Sequence, residues 1–193
     1  MSVLTLAGLA VAFLTGLIFL QQLHEMRTDQ RAWISFAAGG TQFPKDASSL
    51  NTDQVIRTIT VNNIGKTAAR ILKTDLVMDY EVNGSARDFV YEQRARQSAT
   101  TGIVFPNSPF AVNVPFTKGI LNSGETTARF LTQSEFHDLQ NGDGYMVIYG
   151  QATYLDIFGT KHWTHFCAFF TVAGASVKVT ARECTDYNDT DSS

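Results

Sequence analysis

Hydrophobic and polar positions divide the chain into an unbroken apolar stretch at its start and a longer region of alternating pattern. Residues 3–20 carry no charge, and only Gly and Thr interrupt the run of Val, Leu, Ala, Phe and Ile. At about 1.5 Å of rise per residue, a helix of that length covers roughly 27 Å, close to the hydrocarbon thickness of a bilayer. No basic residue precedes the stretch and no small-residue cleavage site follows it, so it predicts an uncleaved transmembrane helix rather than a signal peptide.

The region after the apolar stretch changes from a helical to an extended pattern. We assign residues 1–22 to an anchor helix and residues 23–31, which contain neither Gly nor Pro, to a helical stalk that continues it. Beyond the stalk, apolar side chains recur at every second position, which is the period of half-buried strands. These strands are expected at 32–37, 55–61, 69–82, 125–131, 145–158, 162–172 and 177–181.

Turn and cap signals between the strands predict how the domain is built. Turn residues separate the strands at intervals of about ten residues, and Asn83-Gly84 is a strong hairpin signal. Thr132 and Glu135 fit a capping box, which predicts one short helix. We therefore expect a mainly β fold, in which an antiparallel, immunoglobulin-like β-sandwich occupies residues 32–184.

Three segments of the domain carry weaker signals. Residues 98–124 hold three of the four prolines, which favours edge strands and crossing loops. Residues 87–96 fit either a strand or a short helix. The polar tail, 185–193, contains three aspartates and is expected to fray.

Composition argues against one class of partner and supports a sheet. A net charge of -3 and a pI near 5.7 give no electrostatic basis for binding nucleic acid. Aromatic residues make up 11% of the chain, with fourteen Phe, which favours a β-sheet core. Neither a Gly-x-Ser-x-Gly elbow nor a phosphate-binding glycine loop occurs, so the sequence indicates no enzyme and no cofactor.

The two cysteines, Cys167 and Cys184, are candidates for a disulfide. If the last hairpin turns about Ala175-Ser176, residues whose numbers sum to 351 face each other, and the two cysteines are such a pair. If it turns about Gly174-Ala175, they miss each other by two positions. A directly opposed pair could lie close enough to bridge, and a bridge is typical of an oxidising compartment.

The alternative use of these cysteines is a metal site. His162, His165, Cys167 and Cys184 are the only clustered residues of the metal-binding type. On an extended strand His165 and Cys167 share one face while His162 lies on the other, so a site would require His162 to swing round in the turn. The competing interpretation is a core cysteine among phenylalanines, with polar histidines at the end of the strand.

Two features of the anchor bear on its orientation and its partners. Arg27 and Arg31 follow the apolar stretch, and by the positive-inside rule they favour a cytoplasmic domain, against the direction in which a disulfide would argue. Gly8, Ala12 and Gly16 recur every four residues and would let two helices approach closely in a homodimer. Gly and Ala are also common in membrane helices, so the alternative is that their spacing reflects composition and no dimer contact.

Several short motifs together resemble a known group of proteins. Arg31-Ala32-Trp33 follows the apolar helix, residues 61–70 read VNNIGKTAAR, and residues 154–159 read YLDIFG. His162, Thr164, Phe166, Cys167, Cys184 and Tyr187-Asn188 complete the set. The chain resembles a group of uncharacterised bacterial single-span membrane proteins that carry a C-terminal β-sandwich. The resemblance implies a membrane of the bacterial envelope, for which we expect the inner membrane, and it transfers no activity, substrate or catalytic residue.

The sequence therefore supports two hypotheses of function. The first is a non-enzymatic, membrane-tethered β-sandwich that acts as an interaction or accessory protein. Its partners would be the bilayer through residues 3–20 and either a second copy or another membrane-complex protein. The alternative is a membrane-anchored sensor of a small ligand or metal, with its site near His162 and Cys167.

Overall fold

The computed structural model describes residues 3–84, 97–118, 127–173 and 178–191, without the side chains of 3–7, 9–10, 97–100, 118, 127–128, 173 and 178. The segment 87–96, for which the sequence allowed a strand or a helix, lies outside the described residues. The helices are α1 (Val3–Asp29) and α2 (Gln133–Asn141). The strands are β1 (Ile34–Gln42), β2 (Ile56–Asn63), β3 (Ala69–Val82), β4 (Gln97–Val104), β5 (Phe110–Pro115), β6 (Thr117–Lys118), β7 (Thr127–Ala128), β8 (Gly144–Leu155), β9 (Lys161–Ala173) and β10 (Lys178–Glu183).

Helix α1 joins the predicted anchor and stalk into one continuous helix. Its described apolar side chains between Val11 and Leu20 face solvent rather than the sheets. Arg27 lies in its last turn, where a positive charge complements the helix dipole. Across the part of the chain that the structure describes, no helix is both long and apolar enough to cross a membrane. The transmembrane assignment of residues 3–20 therefore finds no support there.

The ten described strands confirm the prediction of a mainly β, antiparallel fold. One sheet has the order β1-β2-β5 and a second has the order β10-β9-β8-β3-β4, with β6 and β7 as a separate short pair. Every strand pairing is antiparallel. Side chains from both sheets enter a shared core, whose members include Ile59, Val61, Val112 and Val114 from the first sheet and Leu72, Leu76, Met78, Ile148, Phe166 and Phe170 from the second.

Helix α2 forms where the capping box predicts it. Thr132 is the N-cap, its hydroxyl accepts a hydrogen bond from Glu135 N, and the Glu135 side chain accepts one from Thr132 N. The helix buries Phe136 and Leu139, and it ends at Gly142, whose φ of 79° suits glycine. A two-turn helix is thereby closed at both ends by local sequence.

Three boundaries differ from the sequence prediction. Strand β1 continues beyond the predicted end at residue 37, through Gly39-Gly40 to Gln42, because a bulge between Ala38 and Thr41 keeps the strand paired with β2. The strand predicted over 125–131 is present in the described residues only as the two-residue β7. The tail was predicted to fray, but its described part, up to Asp191, lies against β9.

Tyr80 couples β3 to α2 and gives the fold a dependence on alkaline pH. Its hydroxyl donates a hydrogen bond to Asp138 Oδ2 at 2.9 Å. Burial, followed by that bond and by nearby carboxylates, raises the pKa of Tyr80 from 10.0 to about 12. The folded state thus favours the neutral phenol, whose proton the unfolded chain loses first as the pH rises.

We expect the stability of the fold to decline between pH 10 and about 12, in part through Tyr80. Its contribution is fully present below pH 10, because there both states hold the proton, and it is lost as the pH approaches the folded-state pKa. Denaturation at a series of alkaline pH values, in the wild type and in Tyr80→Phe, measures it. An equally steep decline in both proteins would contradict the assignment.

Candidate functional site at the junction of helix and sheets

A buried group of ionisable side chains lies where α1 meets the sheets. Arg31, Asp156, His162 and Asp191 form this group, which we call the junction cluster. The side chains of Arg31 and His162 are each only 2% exposed. They come from four separate places: the residues after α1, the turn after β8, the start of β9, and the tail. The cluster therefore ties the helix to the last part of the chain.

The geometry of the junction cluster is that of mutual charge pairing. His162 Nδ1 lies 2.6 Å from Asp191 Oδ2, and His162 Nε2 lies 3.1 Å from Asp156 Oδ2. Arg31 Nη1 lies 3.4 Å from the same Asp191 carboxylate oxygen, and Arg31 Nη2 donates to the Asp191 backbone carbonyl at 3.0 Å. Because buried charges are costly unless paired, the four groups compensate one another.

The partners of His162 show what the junction cluster can do chemically. Each of its described hydrogen-bond partners is a charged side chain, and its ring also lies beside that of Tyr154, with the ring centroids 5.5 Å apart. Among the described residues, no hydroxyl or thiol is hydrogen-bonded to this imidazole. Tyr154 instead donates to Ala32 O at 3.2 Å, and burial is the main reason that its pKa is raised. The arrangement joins segments that are far apart in the sequence.

The segment between α1 and β1 is held by Asn63 at the end of β2. Asn63 is fully buried, and its Oδ1 accepts hydrogen bonds from Trp33 N at 3.2 Å and Gly65 N at 3.0 Å. Its Nδ2 donates to Thr67 O at 2.7 Å and to Val104 O at 3.0 Å. One amide thus satisfies four backbone groups of three different segments, which is the most that an Asn side chain is expected to do.

Gly65 allows the turn after β2 to approach this segment closely. A Cβ at this position would lie 2.5 Å from Trp33 N and closer still to Arg31 O. Lys66 N donates to the same Arg31 carbonyl at 3.3 Å. The Arg31 guanidinium in turn covers the Trp33 ring, with Cζ 3.4 Å from the ring centroid. The motif at residues 61–70 therefore binds and positions the segment that connects α1 to β1.

Asp156 shapes the turn between β8 and β9 as well as pairing with His162. Its Oδ1 accepts hydrogen bonds from Phe158 N and Thr160 N, each at 2.8 Å. Asp156 is therefore a turn carboxylate. Arg27 of α1 lies over the Phe158 ring, with Cζ 5.5 Å from its centroid, so the same turn also contacts the helix.

Cys167 and Cys184 form a disulfide in this structure, with their Cα atoms 5.4 Å apart. Strand β10 pairs with β9 so that Lys178 faces Ala173 and Glu183 faces Ala168. In each of these pairs the residue numbers sum to 351, which is the register required by a turn about Ala175-Ser176. The turn residues themselves lie outside the described part of the chain.

The tail continues the edge of the second sheet beyond the disulfide. His165 N donates to Asp189 O at 2.8 Å, and Asp191 N donates to Trp163 O at 3.2 Å. Between the disulfide and this pairing, the Asn188 side chain takes the place of a strand residue. Its Oδ1 accepts from Cys167 N at 2.9 Å, and its Nδ2 donates to Cys167 O at 2.9 Å and to Cys184 O at 3.0 Å.

The four metal-ligand candidates do not converge. Both sulfur atoms are in the disulfide, so neither Cys167 nor Cys184 offers a thiolate. His162 points into the junction cluster, while His165 lies on the opposite face and pairs with Asp189 at 2.7 Å. Within the described residues no group of three or more His, Cys, Asp or Glu side chains could hold a metal ion. The sensor hypothesis for this region stays a prediction.

The small-residue stripe of α1 is open in this structure of one chain. A Cβ at Gly8 or Gly16 would meet nothing within 4 Å, and Ala12 is exposed. The homodimer predicted from these residues stays a prediction.

Sequence reasoning missed two members of the junction cluster. Arg31 was interpreted as an orientation signal for the membrane, and Asp191 was assigned to a fraying tail. A signal for Arg31 was present in the motifs that carry the resemblance, because Arg31 belongs to that set together with Asp156 and His162. Asp191 lies outside these motifs.

We expect the disulfide to stabilise the fold by about 3 kcal/mol, because it closes a loop between residues 17 positions apart. The double variant Cys167→Ala/Cys184→Ala tests this by chemical denaturation of the full chain in detergent. The wild type under reducing conditions serves as the control and should match the double variant. Equal stability with and without the bridge would contradict the prediction.

Comparison with known proteins adds little to this geometry. No protein-family model and no curated protein matches the chain. A solved structure described as the X-ray structure of Northeast Structural Genomics Consortium target SoR45 aligns with 80% of this chain and 86% of its own, at 14% identity and a TM-score of 0.31. A similarity of that size carries no argument about fold or function.

Proposed function

We propose that this protein is a non-enzymatic, membrane-tethered interaction or accessory module whose domain is held in a fixed orientation on its anchor helix. The observation that carries this proposal is the junction cluster. Arg31, at the end of the helix, is paired with Asp191 and His162 inside the domain at a site that is almost fully buried. A flexible tether would leave such groups in water, where each is well solvated.

The apolar stretch of α1 supports the tether. Residues 3–20 contain no charge, and the exposed side chains of this helix include Phe13 at 69% and Leu20 at 63%. A continuous apolar surface of this kind on a helix is typical of a part that is covered in the working protein. We propose that lipid of the bacterial inner membrane covers it, in line with the family resemblance, and that the helix crosses the bilayer once.

The disulfide supports an extracytoplasmic domain, and the two arginines argue only weakly against it. Bonded cysteines persist in oxidising compartments, and a cytoplasmic pair would be kept reduced. Arg31 is buried in the junction cluster and Arg27 lies over Phe158, so both arginines have roles in the fold that account for their positions. The preference for the cytoplasm drawn from these arginines is thereby weakened.

The architecture supports the type of module that we propose. The two antiparallel sheets around one core are also what an immunoglobulin-like module requires.

A pair of reporter cysteines tests the tether and the orientation. Asp53→Cys places an exposed thiol in the domain, and Ser2→Cys places one before the apolar stretch. We expect a membrane-impermeant maleimide to label the first in intact spheroplasts and the second only after lysis. The reverse pattern would overturn the extracytoplasmic side. Recovery of the chain in the soluble fraction would overturn the tether.

The fixed orientation needs a separate test. A spin label on exposed Thr52 and another on exposed Gln22 should give a narrow distance distribution in the full-length protein in nanodiscs. Arg31→Met should broaden this distribution, because it removes the charge that joins the helix to the domain. A broad distribution in the wild type would contradict the proposal of a rigid module.

A further inference from the structure

We propose that the open side of the domain between β1 and the tail docks an extended, basic polypeptide segment of a partner protein, which adds a strand to β1. This inference rests on the proposed function, for which it names the interaction surface and the chemistry of the partner. Its elements are the free edge of β1, the groove beside it and the acidic rim of that groove.

Strand β1 has backbone groups available for pairing. Within the described residues its only strand neighbour is β2. Ile64 N donates to Trp33 O at 2.8 Å, so the antiparallel alternation turns the peptide groups of Phe36 and Ala38 away from β2. An extended chain can be recognised by such a row of groups, whatever its side chains.

Of the other edges in the described fold, those of β5 and β10 are better protected than β1, whereas β4 (QSATTGIV) also lacks charge and proline. Edge strands usually carry charges or proline to prevent pairing with other chains. Strand β10 has the sequence KVTARE, with three charged residues, and β5 ends in Pro115. Strand β1 has the sequence ISFAAGGTQ, with neither charge nor proline. Its bulge after Ala38 leaves the residues before it as a regular edge.

A groove of about 270 Å³ runs beside this regular edge. Four consecutive residues, Trp33 to Phe36, form one wall, so the groove follows the backbone of β1. The tail and the end of β10 form the opposite wall. The floor includes the rings of Phe36 and Phe166, which stack with their centroids 5.1 Å apart. This apolar floor suits alternate apolar side chains of an added strand, since every second residue points to the same face.

The rim of the groove sets the charge of the partner. Glu183 is exposed and forms no ion pair with the described residues. Asp189, 62% exposed, is the second acid of the rim and lies 2.7 Å from His165 Nδ1. Lys and Arg side chains on the polar face of an added strand would meet these carboxylates. Charge of this sign steers a basic segment to the groove and repels an acidic one.

A peptide-binding measurement on the full-length protein in nanodiscs tests the inference. The probe is a fluorescent ten-residue peptide of alternating Lys and Val, compared with a Glu-Val peptide and with a Lys-Val peptide that carries two central prolines. We expect saturable binding of the Lys-Val peptide, seen as a rise in anisotropy, and at least about tenfold weaker binding of the other two. Equal binding of the proline peptide would overturn strand addition.

Charge-reversal variants locate the binding site. Glu183→Lys should weaken binding of the Lys-Val peptide by about three- to tenfold, because it reverses a rim charge. Asp53→Lys is the matched control, since it makes the same change in net charge at an exposed residue outside the groove lining, and it should leave binding unchanged. If both variants weaken binding equally, binding depends on the net charge of the protein, and the assignment of the site to the groove is refuted.

The failure of this inference can be told apart from failure of the proposed function. Dimerisation in detergent that Glu183→Lys abolishes would mean that a second copy occupies β1, and would overturn a separate partner. If the peptide does not bind, but the chain still spans the membrane once and gives a narrow distance distribution, the docking groove is refuted. The proposal of a tethered module is then unaffected.

Discussion

Replacing Asn63 with alanine is expected to lower the free energy of unfolding by about 3–5 kcal/mol. The variant leaves Trp33 N, Gly65 N and two carbonyls without their partner in a buried place. Each unsatisfied buried group costs about 1–3 kcal/mol, and part of that cost is relieved where water can enter. Chemical denaturation of the full chain in detergent, followed by tryptophan fluorescence, measures the change.

Asn62→Ala is the matched control for this experiment. It removes the same type of side chain from the preceding position of β2, which lies on the opposite face. There Asn62 Oδ1 has no hydrogen-bond partner. We expect a change below about 1 kcal/mol there. Similar losses in the two variants would mean that Asn63 acts through strand propensity rather than through its four hydrogen bonds.

Replacing Arg31 with methionine is expected to cost about 3–5 kcal/mol, because it removes one partner from a buried set of charges. Asp191 would lose the guanidinium that pairs with its carboxylate, and the Trp33 ring would lose the guanidinium that covers it. The tail should loosen in consequence. Hydrogen exchange reports this directly, since the amide of His165 is bonded to the tail.

Arg27→Met provides the comparison on the same helix. Arg27 is exposed and contacts only the ring of Phe158 among the described aromatic groups, so its loss should cost less than about 1 kcal/mol. It should also leave the exchange of the His165 amide unchanged. If both arginine variants loosen the tail alike, the junction cluster is not what holds it.

Local signals in the sequence were sufficient for much of the fold. The period of two located the long strands, and the capping box located α2, because both depend on neighbouring residues. The register of the last hairpin followed from simple counting once its turn was assumed. In each case the determining contacts lie close in sequence or are fixed by the geometry of an antiparallel pair.

The junction could not be derived in the same way. Arg31 and Asp191 are separated by 160 positions, and nothing local tells a buried arginine from one that follows a membrane helix. Asn188 presented a similar difficulty, because a side chain that substitutes for a strand residue leaves no alternating pattern. The glycines of β1 resemble a turn by composition, and only pairing with β2 makes them part of a strand.

The short connection between α1 and β1 has a consequence for how a partner can arrive. Four residues separate Asp29 from Ile34, and contacts with Asn63 and with the turn after β2 hold them in place, so the domain has little freedom to move around α1. With the apolar stretch in lipid, residues 21–29 would set the domain about 13 Å above the hydrocarbon surface. A ligand carried by another membrane protein at that height would search in two dimensions and experience a high effective concentration. A ligand presented at a different height would not gain this increase in effective concentration.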